Sequence, residues 1–536
     1  MNRSGHQDHF TRDNLPPLKS WPVFKGLNTL NYPPRLNVAT ELIDRHVAEG
    51  RGERVALIGD NLTWTYADLA GEVNRIANHL VAEGLEPGNR VLLRSANNPM
   101  MAAIYFAILK AGGVVVATMP LLRAKELGAI LDKAAISLAV CDARLADELE
   151  TATATRKCKT LLFGAEPFDS AVAGAPVEFA SCDTASDDVC LIGFTSGTTG
   201  IPKGTMHFHR DMLAICDCYG AHVLRAAPDD RFIGSPPLAF TFGLGGLVLF
   251  PWRIGAAAIL VEKVAPPDLM AAVERHKATV IFTAPTAYRA MLANLAAADL
   301  SSLRICVSAG EALPRPTFEA WKEATGITIL DGIGATEMLH IFIGSPRESV
   351  RPGATGKPVP PYEAQVIDAD GNPCPDGAPG RLAVRGPTGC RYLSDPRQEE
   401  YVQNGWNITG DTYIRDADGY FWYQARSDDM IISAGYNIAG PEVESGLLTH
   451  PAVAEAAVVA SPDPERGQIA KAYVVLADGE DGGDQMVKAL QDHVKAELAP
   501  YKYPRAVTFV EALPRTETGK LQRFALRRRA ADEAGA

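Results

Sequence analysis

Eleven residues, Phe194 to Gly204, read FTSGTTGIPKG. Hydroxyls and glycines at this density, closed by a lysine, make a loop able to wrap a polyphosphate. Thr195, Ser196, Thr198 and Thr199 offer hydroxyl donors, Gly197, Gly200 and Gly204 let backbone N–H groups approach anionic oxygens, and Lys203 adds a point charge. A nucleoside triphosphate is the natural ligand of such a loop. The Walker-type loop needs a glycine, four residues and then Gly-Lys-Ser/Thr. It is absent: the Gly-Lys pairs are Gly356-Lys357 and Gly519-Lys520, the positions five residues before those glycines are Arg351 and Pro514, and Lys203 precedes Gly204. A flexible Ser/Thr/Gly surface loop is the plain alternative for this string taken alone.

Other strings accompany it. DGIGATE (Asp331 to Glu337), WNITGD (Trp406 to Asp411) and RSDDMIISAGYNIAGPEVE (Arg426 to Glu444) follow in order, and PRTETGK (Pro514 to Lys520) stands near the C-terminus. Together they resemble, over most of the chain, the signatures of the adenylate-forming superfamily of acyl- and aryl-CoA synthetases, peptide-synthetase adenylation domains and firefly-type luciferases. The resemblance implies ATP, Mg²⁺ and CoA as co-substrates and cofactor. It implies two half-reactions: a carboxylate attacks the α-phosphorus and releases pyrophosphate, then the CoA thiolate attacks the acyl carbon and releases AMP. Both steps bring anions together, so the site must supply cations and oriented donors.

The resemblance also implies roles. Thr195 to Lys203 hold the β- and γ-phosphates, Thr336 contacts the α-phosphate, and Glu337 binds the metal, since magnesium takes one carboxylate with phosphate and water oxygens. Asp411 accepts from the ribose hydroxyls with Arg426 assisting. Gly310, Glu311 and Ala312, with Asp331, Gly332 and Ile333, wall the adenine. Lys520 enters the site for adenylation and bridges α-phosphate and carboxylate. Ser433, Ala434, Gly435 and Tyr436 line the CoA channel, and Asp428 is the hinge. Taken singly, Glu337 reads as a surface or capping glutamate, Asp411 and Asp428 as turn aspartates, and Lys520 as a solvated lysine in a basic tail.

PPLAFTFGLGG (Pro236 to Gly246) and MLHIF (Met338 to Phe342) fall where this superfamily lines its acyl pocket. Phe240, Thr241, Phe242, Gly332 and His340 would make a short aromatic site suited to a flat ring. The strings look closest to the benzoate-CoA and 2-aminobenzoate-CoA ligase branch. Benzoate ligases commonly carry Ala-Tyr where this chain has Thr241-Phe242, which leaves room for an ortho amino or hydroxyl group. His340 reads equally as a satisfied core histidine, and His207 and His209 as structural. Short- or medium-chain fatty acids, loading of a carrier protein, a non-catalytic nucleotide-binding scaffold and a luciferase-type oxygenase are the competing readings.

These residues need a scaffold. Short β-branched runs alternate with helical patterns, as in RVLLRS before PMMAAIYFAILKAGG, which predicts layered α/β sheets, largely parallel. After about residue 360 the pattern turns to strands and tight turns, including a hairpin at Asp418-Gly419. Beyond Arg426 an α+β pattern returns. We therefore expect a large N-terminal domain over 1–425 with a β-rich subdomain at 360–425, a hinge at 426–428, and a small mobile C-terminal domain over 429–536.

The 536 residues carry a formal charge of −12 and 47% hydrophobic residues. That length demands more than one core, and that charge does not favour nucleic acid or anionic membrane. Nine cysteines without paired CxxC spacing and a polar N-terminus fit reduced thiols in the cytoplasm. The uncharged stretch Phe232 to Trp252 is long enough for a bilayer, but its prolines and glycines read as a buried strand and loop. The expected partners are an aryl acid, ATP and CoA, and a homodimer is compatible with the chain.

Overall fold

The computed structural model describes residues 2–195, 202–426, 429–433, 436–498, 501–516 and 520–534. Among them the strands form four sheets. A six-stranded sheet runs in the order Lys159–Phe163, Leu138–Asp142, Arg90–Arg94, Val114–Thr118, Val189–Thr195, Lys203–Phe208, parallel throughout except for the last pair. A nine-stranded sheet has a parallel centre built from Ile329–Gly334, Ile305–Ser308, Val280–Thr283, Arg231–Gly234, Ala257–Ile259 and Val55–Ile58. Strands such as RVLLR and VVVAT are buried at every position, as parallel strands covered on both faces must be.

The helix Pro99–Lys110 explains how the two sheets cohere. Its sequence is apolar all round, and every residue from Met101 to Lys110 is buried. Asn98 caps it by accepting from the Met101 N–H, and Pro99 occupies the first turn, where no N–H partner is needed. Its side chains share one core with Val91 and Val115 of the six-stranded sheet and Ala258 and Phe282 of the nine-stranded one. A single such ring, Phe106 or Phe282, contributes about 1.5–3 kcal/mol by leaving water.

The stretch Phe232 to Trp252 departs from the strand-and-loop expectation. The strand Arg231–Gly234 is present, but Thr241–Leu244, Gly245–Leu249 and Phe250–Ile254 are helical in succession. The glycines are there for close approach: a β-carbon on Gly245 would stand 2.3 Å from His340, and one on Gly246 2.5 Å from Phe282. No helix of the described residues is long and apolar enough to cross a membrane.

The β-rich region forms a five-stranded sheet between Glu363 and Arg426, with the hairpin turning at Gly419 in a left-handed conformation (φ +83°). The smaller domain is built on the hairpin Val453–Asp463 and Gly467–Leu476. Its two faces follow the period of two: Val458, Ala472 and Val474 pack with Leu490 and Val494 of helix Asp484–Glu497, while Ala457, Val459 and Tyr473 pack with Leu526 and Ala530 of helix Arg523–Ala534. The fold is therefore that of a large α/β domain with mixed sheets and a smaller C-terminal domain.

Candidate active site

Thr195 and Ser308 end parallel strands of the two sheets, at the carboxyl ends where open α/β sheets bind ligands. Thr195 closes one strand and pairs with Lys203 of the antiparallel neighbour. Ser196, Gly197, Thr198, Thr199 and Gly200 lie outside the described residues. Thr336 approaches the same hairpin from below: its methyl would lie 3.0 Å from a β-carbon on Gly193, and its carbonyl is 2.7 Å from His207 Nε2. His207 is itself backed by Asp211, and Arg391 donates to that carboxylate in a wholly buried chain.

Glu337 is buried beside Thr336, at 8% exposure. Its Oε1 accepts a 2.5 Å hydrogen bond from the Tyr392 hydroxyl, and Lys203 Nζ lies 5.4 Å from the centre of the same tyrosine ring. Asp411 sits close enough to Glu337 to feel its charge. Burial raises the Asp411 pKa, Arg426 opposes the rise with a 3.2 Å contact to Oδ1, and Glu337 adds to it. Arg426 is brought opposite Asp411 by strand register, Asp411↔Arg426. No group of three His, Cys, Asp or Glu side chains among the described residues could hold a metal. One buried carboxylate fits a magnesium ion that takes its remaining oxygens from phosphate and water.

The loop after strand Ile305–Ser308 carries Gly310, Glu311 and Ala312, with Gly310 at φ +91°. Asp331 lies on the adjacent strand in register with Ser308. Burial pushes the Asp331 carboxyl up to about 8, and its Oδ1 and the neighbouring Ser308 Oγ are both buried without a hydrogen-bond partner. Gly332 packs directly on Ile341, and Ile333 is half-buried on the core.

Lys520 arrives at this wall from the smaller domain. A β-carbon on Gly310 would lie 3.7 Å from its Cε and 4.0 Å from its Nζ. Burial lowers the Lys520 pKa, with Glu311 opposing and Arg426 reinforcing the shift, although the residue as a whole stays accessible from the cleft. Arg515 reaches Glu311 at 3.8 Å and Glu455 at 2.5 Å. Burial raises the Glu311 pKa, and Arg515 and then Lys520 hold it back.

The acyl-pocket candidates gather around His340. Phe242 lies 5.6 Å from its ring, Phe250 4.6 Å, Tyr219 5.6 Å and Phe282 6.3 Å. Both ring nitrogens are buried without a hydrogen-bond partner, and burial drives the pKa down to about 3, so the imidazole is neutral. Thr241 stands beside Thr336 at Gly193, and Phe240 precedes the helix that carries Thr241 and Phe242.

Not every expected residue joins the cleft. Ser433 is buried in a strand whose pairings are Tyr436 and Gly467 of the smaller domain. Asp428, Ala434 and Gly435 lie outside the described residues, as does the Tyr436 side chain. Conversely, Tyr392, Arg515, Tyr219, Phe250 and Phe282 were not singled out from sequence, and His207, read as structural, supports the Thr336 backbone. Only Arg515 carried a signal, two basic residues flanking the threonines of PRTETGK.

Comparison with known proteins gives a consistent outcome. Residues 44–392 match the AMP-binding enzyme family and residues 442–520 the AMP-binding enzyme C-terminal domain. A benzoate–CoA ligase from Thauera aromatica is 36% identical over 512 residues, covering 93% of this chain and 97% of that protein. An anthranilate CoA ligase solved with anthranoyl-AMP superposes with a TM-score of 0.91 at 35% identity, covering 94% of this chain and 99% of that one. A benzoate CoA ligase from Burkholderia xenovorans LB400 superposes with a TM-score of 0.84 at 33% identity, covering 92% and 100%.

Proposed function

The chain belongs to the AMP-binding enzyme family, and from that premise we propose that it is an aryl-acid CoA ligase whose acid is benzoate or 2-aminobenzoate. It is an AMP-forming acid–thiol ligase that uses ATP, Mg²⁺ and CoA. The observation that supports an aryl acid is the half-buried ring of Phe242, set beside Thr241 and backed by the buried rings of His340 and Phe282. Flat apolar faces with an uncharged polar edge suit a benzoate ring better than an alkyl chain.

In this reading Lys203 meets the phosphates from the hairpin end, Asp411 takes the ribose diol with Arg426 steadying it, and Gly310 to Ala312 with Asp331 to Ile333 wall the adenine. Glu337 would hold the magnesium ion, which when bound neutralises phosphate charge. Lys520 stands where negative charge accumulates between the acid and the α-phosphate, and its ammonium stabilises that charge. We place the domain boundary at 426–428 with Asp428 as hinge, assign Ser433 to Tyr436 to the thioester step, and expect a cytoplasmic enzyme, compatible with a homodimer.

The test is CoA-dependent AMP formation from ATP and Mg²⁺ with benzoate, 2-aminobenzoate, hydroxybenzoates, phenylacetate and hexanoate. Highest kcat/KM with a benzoate supports the reading and ranks the ortho substituent. Hexanoate ahead of every ring acid overturns it.

A further inference from the structure

Tyr392 belongs to none of the strings that resemble known signatures, yet it touches two residues assigned to the chemistry. It is fully buried, follows the buried Arg391, and sits 55 residues from Glu337 in the chain. Its hydroxyl donates to Glu337 Oε1 at 2.5 Å, while the ring lies under the Lys203 ammonium at 5.4 Å. The backbone is fixed as well: the Tyr392 N–H donates to Gln398 Oε1 at 2.8 Å, Gln398 donates to the Cys390 carbonyl, and Tyr401 packs edge-on against the ring at 5.8 Å. Thr205 of the hairpin bridges to Tyr392 as an isolated β-pair.

We propose that Tyr392 is a positioning residue that presents Glu337 to the metal–nucleotide complex and sets Lys203 in register with it. A carboxylate on a flexible stem has two oxygens and several rotamers. Pinning Oε1 with a phenol leaves Oε2 as the oxygen free to meet a cation, in one orientation. The same ring offers its negative face to Lys203, so one side chain fixes the spacing between the two groups that handle phosphate charge. The inference rests on Glu337 being the metal-holding carboxylate.

The test uses the full-length chain and its Tyr392→Phe variant, which keeps the ring and removes the donor. Mn²⁺ binding to the enzyme with a non-hydrolysable ATP analogue, read by electron paramagnetic resonance, should weaken about tenfold, the worth of one hydrogen bond to a buried charge. The Mg²⁺ concentration for half-maximal adenylation should rise in parallel, and excess Mg²⁺ should restore the rate. CoA attack on supplied acyl-adenylate should be unchanged. Tyr392→Leu, which also removes the ring face, should in addition raise KM for ATP at saturating Mg²⁺. Metal binding within twofold of the unaltered chain overturns the proposal. A second measurement requires no loss of the side chain: with 3-fluorotyrosine at position 392, the fluorine resonance should shift when Mg²⁺ is added to the ATP-bound enzyme, and an unmoved resonance overturns the proposal equally. If the unaltered chain forms no AMP with any acid, the ligase reading fails instead, and the metal-binding comparison still decides the role of Tyr392.

Discussion

Lys520 of the smaller domain lies over Gly310 of the larger one: a β-carbon added at 310 would stand 3.7 Å from the lysine Cε. Across the cleft, the side chain reaches past a residue that offers no side chain of its own.

Lys520→Ala should therefore lower adenylation by roughly 10²–10³-fold, the usual loss on removing one preorganised charge-stabilising group. CoA attack on supplied acyl-adenylate should persist. Separate assays of pyrophosphate release and of thioester formation check this, and an equal loss in both would refute the assigned role.

Adenylation should carry an alkaline limb set by the same lysine. The active form is the ammonium, and burial lowers its pKa from 10.5 while Glu311 opposes. The rate is thus full below the lowered pKa and falls as pH rises through it, earlier than for a free lysine. Lys520→Arg keeps its charge across this range and should show a flat alkaline limb at a reduced rate; initial rates of pyrophosphate release against pH distinguish the two.

Part of the candidate site is legible as strings, because strand pairing across a short turn brings together residues close in sequence. Thr195 and Lys203 are partners in one hairpin, and Asp411 and Arg426 face each other in another. The supports are not legible. Tyr392, His207 and Arg515 act through contacts 55, 129 and 204 residues away in sequence, and no local pattern encodes such pairings. The helical run from Thr241 was read as a strand and loop because its glycines signal breaks, whereas in the fold they admit the rings of His340 and Phe282.

Gly245→Ala tests that close approach. The new methyl would meet His340 Cδ2 at 2.3 Å, an overlap that must displace the ring. Chemical denaturation should show a loss of about 1–3 kcal/mol, as for other overpacked cores. Adding His340→Ala should recover most of it, and a double variant no more stable than Gly245→Ala would place the clash elsewhere.

The pair Thr241 and Phe242 should govern the ortho position of the acid. Thr241→Ala with Phe242→Tyr removes the hydroxyl of a residue neighbouring Thr336 and adds one to the ring that packs on His340. The kcat/KM ratio of benzoate to 2-aminobenzoate should rise about tenfold, the scale of discrimination by one small group in a pocket. Measuring both acids on both chains decides it, and an unchanged ratio assigns Phe242 to packing alone.

Glu311 stands near two cations, Arg515 and Lys520, that belong to one short segment of the smaller domain. A rotation that withdraws Lys520 withdraws Arg515 with it, and the carboxyl loses both counter-charges together. Withdrawal removes two groups that hold its pKa down and hydrates the carboxyl whose burial holds it up. Protonation of one carboxyl and departure of the domain are thus two sides of a single equilibrium.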